Sequence, residues 1–207
     1  MYSIREQNKI QKRKCILDAA VQLFTRNGYE QTSIEELARQ AGIGKGTIYS
    51  YFQTKKDILR AFCEDELEYI RSELTAKTSA DASLKEQLLV IYLAEFRYVS
   101  RNKEFGRLLL QEKIFPQEHH GMEDFNIQNQ YFELLYPIYE QAQKRGELRD
   151  DMELLHISGH FYALYLLVLS CWFNGMIPTE EIEQSLSTLI DQTITGLQKR
   201  SPAPEKV

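Results

Sequence analysis

The chain has 207 residues, of which 43% are hydrophobic and 27% are charged, and its net charge is −5. These proportions are those of a globular protein and exclude a largely disordered chain. The N-terminal residues lack the apolar core of a signal peptide, and the longest apolar stretch, residues 161–173, is shorter than the roughly 18 residues of a membrane-spanning helix. We therefore expect a cytoplasmic protein that does not bind membranes.

The first two predicted helices are marked by apolar spacing and by capping residues. Apolar residues on one helix face predict a helix over residues 9–27, which Gly28 ends in a left-handed conformation. Ser33 and Glu36 have the spacing of a capping box, so a second helix is expected to begin there and to end at Gly42. The apolar face of the first helix consists of Ile16, Ala19, Ala20, Leu23 and Phe24.

A short third helix and a longer fourth helix are predicted next. The third spans about residues 45–51, and Thr54 with Asp57 three positions later predicts the start of the fourth, over residues 54–78. Three apolar residues are expected to hold the third helix against the first two: Ile43, Ile48 and Phe52.

The rest of the chain is also predicted to be helical. No segment shows the sustained alternation of a β-strand, so the predicted fold class is all-α. Pro137 lies inside one of the predicted helices and is expected to kink or break it. Residues 201–207, with two prolines, form a predicted flexible tail. The remaining helices are predicted over residues 84–101, 103–113, 122–145, 152–174 and 179–199.

Residues 33–51 have the pattern of a helix-turn-helix, in which two short helices flank a glycine-containing turn. The outer face of the third helix suits a DNA groove, because Gly46 lets the backbone approach closely and Lys45 can reach a phosphate or a guanine edge. The charge distribution agrees: residues 1–60 contain 11 Lys and Arg against 6 Asp and Glu, whereas residues 61–207 contain 14 against 24. The basic N-terminal part is thus expected to meet a polyanion.

The sequence GIGKGTIYSYFQTKKDIL, together with the preceding ILDAAVQLF and TSIEELARQAG segments, resembles the signature of the TetR family of transcriptional regulators. The resemblance extends without a gap over about residues 9–62. Two positions depart from the commonest pattern. Gly44 leaves the third helix with a weak cap, and Glu35 stands where some members have a basic residue, so we do not count Glu35 as a DNA contact. The resemblance implies DNA-contacting roles for Ser33, Lys45, Gly46, Thr47, Tyr49, Ser50, Tyr51 and Lys55.

The resemblance also implies an architecture and a function. Residues 1–62 would form an N-terminal three-helix DNA-binding domain, and residues 63–200 a helical ligand-binding and dimerisation domain. The protein would be a ligand-responsive regulator, in the family's usual mode a repressor, and not an enzyme. It would bind a palindromic operator in double-stranded DNA as a homodimer, and a hydrophobic small-molecule inducer would release it, with no other cofactor.

Two features of the C-terminal part agree with this expectation. The helix that contains residues 161–173 is apolar nearly all round, so it must be buried on more than one side. This helix and the last one, over residues 152–174 and 179–199, are the expected dimer interface. The abundant aromatic residues suit a pocket for a hydrophobic or aromatic ligand. The residues expected to line it are Phe96, Tyr131, Phe161, Tyr165 and Trp172.

Three alternatives stay open at this point. His156 and His160 share a helix face and could bind a metal, although surface positions are the simpler interpretation, and we predict no metal site. A helical enzyme or carrier would need a nucleophile–base pair, a phosphate-binding loop or a metal cluster, and the sequence contains no such motif. A constitutive architectural DNA-binding protein without an effector is disfavoured by the large apolar C-terminal part.

Overall fold

The computed structural model describes residues 3–79, 81–114 and 121–198, and within these ranges the chain is helical and has no strand, as the sequence predicted. The predicted tail over residues 201–207 lies outside the described residues. A short 3-10 helix, Thr179–Glu181, precedes the last α-helix. The α-helices are α1 (Ile4–Asn27), α2 (Ile34–Ala41), α3 (Lys45–Tyr49), α4 (Lys55–Lys77), α5 (Leu84–Ser100), α6 (Lys103–Ile114), α7 (Gly121–Lys144), α8 (Leu154–Phe173) and α9 (Ile182–Leu197).

The described residues form two compact units. The N-terminal unit contains the residues up to Glu66 and a second segment that begins at Val99 and includes α6. The C-terminal unit contains Leu67–Tyr98 and the residues from α7 onward.

Helix α1 begins at Ile4, five residues before its predicted start. The reason is a capping box that the sequence analysis overlooked. The backbone N–H of Ser3 donates to the Glu6 carboxylate at 2.8 Å, and the backbone N–H of Glu6 donates to Ser3 Oγ at 3.3 Å. Gly28 ends the helix with φ 86° and ψ 155°, a positive φ as expected but outside the left-handed helical region.

A shared apolar core holds the N-terminal unit together. All five residues of the predicted α1 stripe are buried, and α1 packs against α2 and α6. Phe105 of α6 contacts α1 and α4, with its ring centroid 6.5 Å from that of Phe24 and 4.6 Å from that of Phe62. Helix α6 also approaches the end of α5 closely, because a Cβ at Gly106 would lie 2.1 Å from the Val99 carbonyl oxygen. Only glycine fits there.

The centre of the C-terminal unit is α8, which packs against α7 and α9. It buries a run of large apolar side chains, including Phe161, Tyr165 and Leu169. Polar contacts add to this core at its edges: Lys85 of α5 pairs with Asp191 of α9 at 2.5 Å, and Trp172 Nε1 donates to Thr179 Oγ1 at 3.0 Å.

Pro137, which was expected to kink or break its helix, is exposed and lies inside a continuous α7, so it does not break the helix. The sequence analysis found no apolar stretch long enough to span a membrane, and this is corrected, because α8, with 20 residues, could cross a membrane by length and composition. Its buried residues face the helices of a folded unit, which is the ordinary reason for an apolar helix in a core.

Candidate nucleic-acid interface

The turn between α2 and α3 has the geometry that the sequence predicted. Ser33 and Glu36 form a capping box at the start of α2, and Gly42 adopts a left-handed conformation with φ 68° at its end. Gly44 caps α3 without a side-chain hydrogen bond, as expected from the missing serine. Because α3 has only five residues, it depends on packing. Its one fully buried side chain, Ile48, supplies that anchor.

The predicted DNA-contacting residues divide into exposed and half-buried positions. The exposed ones lie along the outer side of α3 and just after it, and Tyr49 keeps 37% of its surface exposed despite its aromatic ring. The arrangement leaves a small cationic and aromatic surface opposite Ile48. The exposed positions are Lys45, Gly46, Tyr49 and Ser50, and the half-buried ones are Ser33, Thr47, Tyr51 and Lys55.

Lys45 is held by two neighbours. Its ammonium forms an ion pair and hydrogen bond with Glu35 of α2, and it lies 5.8 Å from the centre of the Tyr49 ring. The hydrogen bond between them lowers the pKa of Glu35 and raises the pKa of Lys45, so both stay charged at neutral pH. Glu35, which the sequence analysis set aside, therefore controls the main cation of this surface. The sequence signal for this pair was the presence of a glutamate in α2 and a lysine in α3, which have opposite charges on either side of the turn.

Lys55 sits at the start of α4 and binds the loop before α2. Its ammonium donates to the carbonyl oxygens of Tyr29 at 2.8 Å and Glu30 at 3.2 Å, and it lies 4.7 Å from the centre of the Tyr29 ring. An ammonium has three hydrogens, so two serve this loop and one is left for another acceptor. The structure thus gives Lys55 a positioning role that sequence spacing did not indicate.

The hydroxyl donors of two predicted contact residues are used within the protein. Ser33 donates to the Glu36 carboxylate at 2.9 Å, and Ser50 donates to the Thr47 carbonyl at 2.7 Å. A hydroxyl group has a single hydrogen. Each could therefore donate to a phosphate only by exchanging its present partner, whereas the exposed Tyr49 can reach outward directly.

The five aromatic residues expected to line a ligand pocket all belong to the C-terminal unit, and they fall into two sets of ring contacts. Phe96 meets Trp172 edge to face, with 5.0 Å between ring centroids. The other three join a tyrosine-rich cluster. Its ring pairs are Tyr92 with Tyr165 at 4.9 Å, Tyr139 with Phe161 at 5.7 Å, and Tyr131 with Tyr162 at 5.9 Å.

The tyrosine-rich cluster contains polar groups that the sequence analysis missed. Glu95 is only 1% exposed, and its carboxylate accepts a hydrogen bond from the Tyr131 hydroxyl at 3.1 Å. The hydroxyls of Tyr92, Tyr139 and Ser158 are buried, and none of them makes a well-formed hydrogen bond with a described residue. The available signal was Glu95 itself, a charged residue inside the apolar sequence of α5.

Burial determines the protonation of these tyrosines. It raises the pKa of Tyr92 and of Tyr131 well above the usual value for a phenol, and it also raises the pKa of Tyr139. The three phenols therefore stay neutral at physiological pH and keep their hydroxyl hydrogens. The cluster can offer hydrogen-bond donors within an aromatic, apolar environment.

Metal ligands are not grouped in the parts of the chain that the structure describes, where no three His, Cys, Asp or Glu side chains converge. His156 and His160 are both exposed on α8. His119 and His120 lie outside the described residues.

A helix-turn-helix with an exposed third helix, within a basic N-terminal part that is followed by a helical unit with an aromatic core, is typical of a DNA-binding regulatory protein. Comparison with known proteins gives the family. Residues 16–62 match the family model described as "Bacterial regulatory proteins, tetR family". The N-terminal helix-turn-helix is thus that of the TetR family, and the comparisons support a TetR family transcriptional regulator, a class of proteins that are not enzymes.

Three similar proteins illustrate the relationship. The Fatty acid metabolism regulator protein of Bacillus subtilis is 26% identical over 140 residues, which cover 67% of this chain and 72% of that protein. The negative regulator IcaR of the Staphylococcus aureus biofilm operon is 25% identical over 190 residues, covering 88% and 95%. The crystal structure of the regulator FadR from Bacillus subtilis in complex with stearoyl-CoA has a TM-score of 0.70, with 21% identity over 89% of this chain and 99% of that one. The structural likeness shows the shared fold.

Proposed function

We propose that this protein is a ligand-responsive transcriptional repressor that binds a palindromic operator as a homodimer. The observation that carries the DNA half is the outer surface of α3, where Lys45, Gly46 and Tyr49 are exposed opposite the buried anchor Ile48. In a helix-turn-helix this surface enters the major groove, and the flanking residues contact phosphates. The full proposed contact set is Ser33, Lys45, Gly46, Thr47, Tyr49, Ser50, Tyr51 and Lys55.

The proposed dimer rests on an exposed apolar stripe of α8. Leu155 and Leu167 are 55% and 57% exposed, and between them, at intervals of four residues, lie the exposed Gly159 and Ala163. Residues four apart share one helix face, so the four form one stripe, and its small central residues let another helix approach. A second copy of α8 on a two-fold axis would cover it, with α9 beside it. Paired recognition helices would then read two half-sites about 34 Å apart.

The effector half of the proposal rests on the tyrosine-rich cluster with Glu95. An aromatic environment with a few converging polar groups suits a largely apolar small molecule that carries a hydrogen-bonding group. Two of the similar proteins are a fatty acid metabolism regulator and a regulator bound to stearoyl-CoA, so acyl compounds are the first class to examine.

In this proposal residues 1–62 bind DNA, and residues 63–200 bind the effector and form the dimer. A repressor of this kind works by a shift in population: the effector favours a state with lower operator affinity, and operator binding must then weaken effector binding by the same factor. Because the operator is chromosomal DNA, the proposed location is the cytoplasm.

The test begins with duplexes selected from a random pool by the purified protein. Fluorescence anisotropy should show binding whose affinity falls steeply between about 50 and about 200 mM salt. A long-chain fatty acid and stearoyl-CoA are then titrated into the complex, and Trp172 emission is followed in parallel, since Trp172 is buried against Phe96. Absence of DNA binding would refute the repressor proposal. DNA binding that no tested compound weakens would instead favour a constitutive binder.

The dimer is tested separately by sedimentation. Leu167→Glu places a charge at the C-terminal end of the exposed α8 stripe and should shift the protein from dimer to monomer. Met176→Glu is the matched control, because Met176 is 74% exposed and lies beyond the end of α8. If both variants remain dimers, the interface lies elsewhere.

A further inference from the structure

Helix α1 extends well beyond the core of the N-terminal unit. Its first buried residue is Ile16, so the residues from Ile4 to that point add about 18 Å of helix without a buried side chain. They also precede the part of the chain that matches the TetR family model, which begins at residue 16. The family match therefore does not include this extension.

The extension and the end of the recognition helix line one open cleft. Ser50 and Tyr51, which follow α3, form one side of it. The side formed by the extension carries three cations, Arg5, Lys9 and Lys12, and one carboxylate, Glu6. The uncharged residues Ile4 and Asn8 complete this side.

The basic residues continue the buried face of α1. Arg5, Lys9 and Lys12 are followed at the same helical spacing by residues of the apolar core stripe, Ile16, Ala19 and Leu23. Steps of three and four residues keep all six on one face. The face that is apolar where it packs on the protein thus becomes cationic where it passes the end of α3.

The three cations are available to an external anion. None of Arg5, Lys9 and Lys12 forms an ion pair with a residue that the structure describes. The neighbouring Arg13, by contrast, forms a bidentate pair with Asp65, with both contacts at 2.9 Å. The one carboxylate in the cleft, Glu6, accepts hydrogen bonds from Ser3 in the capping box.

We propose that Arg5, Lys9 and Lys12 form a second DNA-contacting surface, which binds the phosphate backbone next to the segment that α3 contacts. This proposal rests on the proposed function. DNA is favoured over an anionic membrane because the cations share their cleft with Ser50 and Tyr51, which directly follow α3. The surface would add affinity for any sequence, since phosphates carry no sequence information.

The test compares variants in the full-length protein. Arg5→Ala/Lys9→Ala/Lys12→Ala should keep the helix, because alanine has the highest helix propensity and all three residues are exposed. Anisotropy on the duplex selected by the wild-type protein, and on a random duplex, gives affinity as a function of salt. The matched pair of single variants is Lys12→Ala and Lys14→Ala, because these exposed lysines are two residues apart on nearly opposite sides of α1.

The expected result is a loss of at least about tenfold in affinity for both duplexes at about 0.1 M salt, with the salt slope smaller by about two to three units for each bound subunit. Lys12→Ala should reproduce about one unit of that change per subunit, and Lys14→Ala should not. Unchanged affinity and slope in the triple variant, with wild-type binding intact, overturn this proposal alone. Failure of the wild-type protein to bind DNA overturns the proposed function as well. Loss of binding to phosphatidylglycerol vesicles with DNA binding intact would assign the surface to membranes and overturn it too.

Discussion

Lys45 of α3 and Glu35 of α2 form an ion pair across the turn of the helix-turn-helix. A cation that is to meet DNA is thus held by a carboxylate in the free protein. Both groups are exposed, so the pair adds little to stability. Its main effect is on binding, because Lys45 must leave Glu35 before it can engage a phosphate or a base, and Glu35 then stands close to the DNA.

Glu35→Gln should therefore increase DNA affinity. The substitution removes a negative charge from the DNA-facing surface and releases Lys45, so binding to selected and random duplexes should tighten by roughly tenfold or less at low salt. Titration by anisotropy measures this effect. In a double-mutant cycle with Lys45→Ala, the part of the gain that comes from the release of Lys45 should disappear, and a gain of equal size in the Lys45→Ala background would contradict the mechanism.

Acidification should act in the same direction as Glu35→Gln, because protonation of Glu35 also breaks its ion pair with Lys45. The pKa of Glu35 is lowered by the Lys45 hydrogen bond, so the contribution of the pair to stability is complete above the usual glutamate pKa. It is lost only as the pH falls through the depressed value. At neutral pH the pair is therefore fully charged, and Glu35→Gln is the practical way to remove it.

Lys55→Ala should lower both stability and DNA affinity. Removing the ammonium leaves the Tyr29 and Glu30 carbonyls without this donor, which should reduce the free energy of unfolding by about 1 to 3 kcal/mol, as for other hydrogen bonds to charged groups. Chemical denaturation measures this loss. If the remaining ammonium hydrogen also reaches a phosphate, the salt slope of DNA binding falls by about one unit. A lower stability with an unchanged slope would restrict Lys55 to its positioning role.

The sequence predicted the helices of the N-terminal unit but not the contacts between residues that are far apart in the sequence. The capping spacing of Ser33 and Glu36 and the apolar stripe of α1 are local patterns, and the structure confirms both. The contacts of Lys55 with Tyr29 join residues 26 positions apart and depend on how the helices pack, which local spacing does not encode. Pro137 removes one backbone donor from α7 without ending the helix, an outcome that its position in the sequence does not determine.

The candidate effector site shows the same limit. Counting aromatic residues located Phe161 and Tyr165 in the right unit, since large aromatic side chains in an all-helical chain are usually buried. The structure is needed to show that the Tyr131 hydroxyl reaches Glu95, because this contact depends on how α5 and α7 pack.

Gly106→Ala should strongly destabilise the N-terminal unit. The added Cβ would lie 2.1 Å from the Val99 carbonyl oxygen and 2.9 Å from its carbon, both backbone atoms that cannot turn aside. We expect the free energy of unfolding to fall by about 3 kcal/mol or more, as in severe overpacking. Gly196→Ala in α9 is the control, because its Cβ would meet no atom within 4 Å and alanine favours the helix. Equal melting temperatures for the two variants would contradict the close approach of α6 to Val99.

Tyr92→Phe and Tyr131→Phe should have opposite effects on stability. The Tyr92 hydroxyl is buried without a well-formed hydrogen bond to a described residue, so its removal should raise the free energy of unfolding by about 1 kcal/mol. The Tyr131 hydroxyl donates to the buried Glu95, so its removal should lower that free energy by about 1 to 2 kcal/mol. Denaturant titration of the two variants provides the comparison, because each loses one phenolic oxygen and keeps its ring. If both variants are destabilised to the same extent, the Tyr92 hydroxyl has a partner of its own. In that case the Tyr92 hydroxyl would not be available to hydrogen-bond with the polar group of an effector.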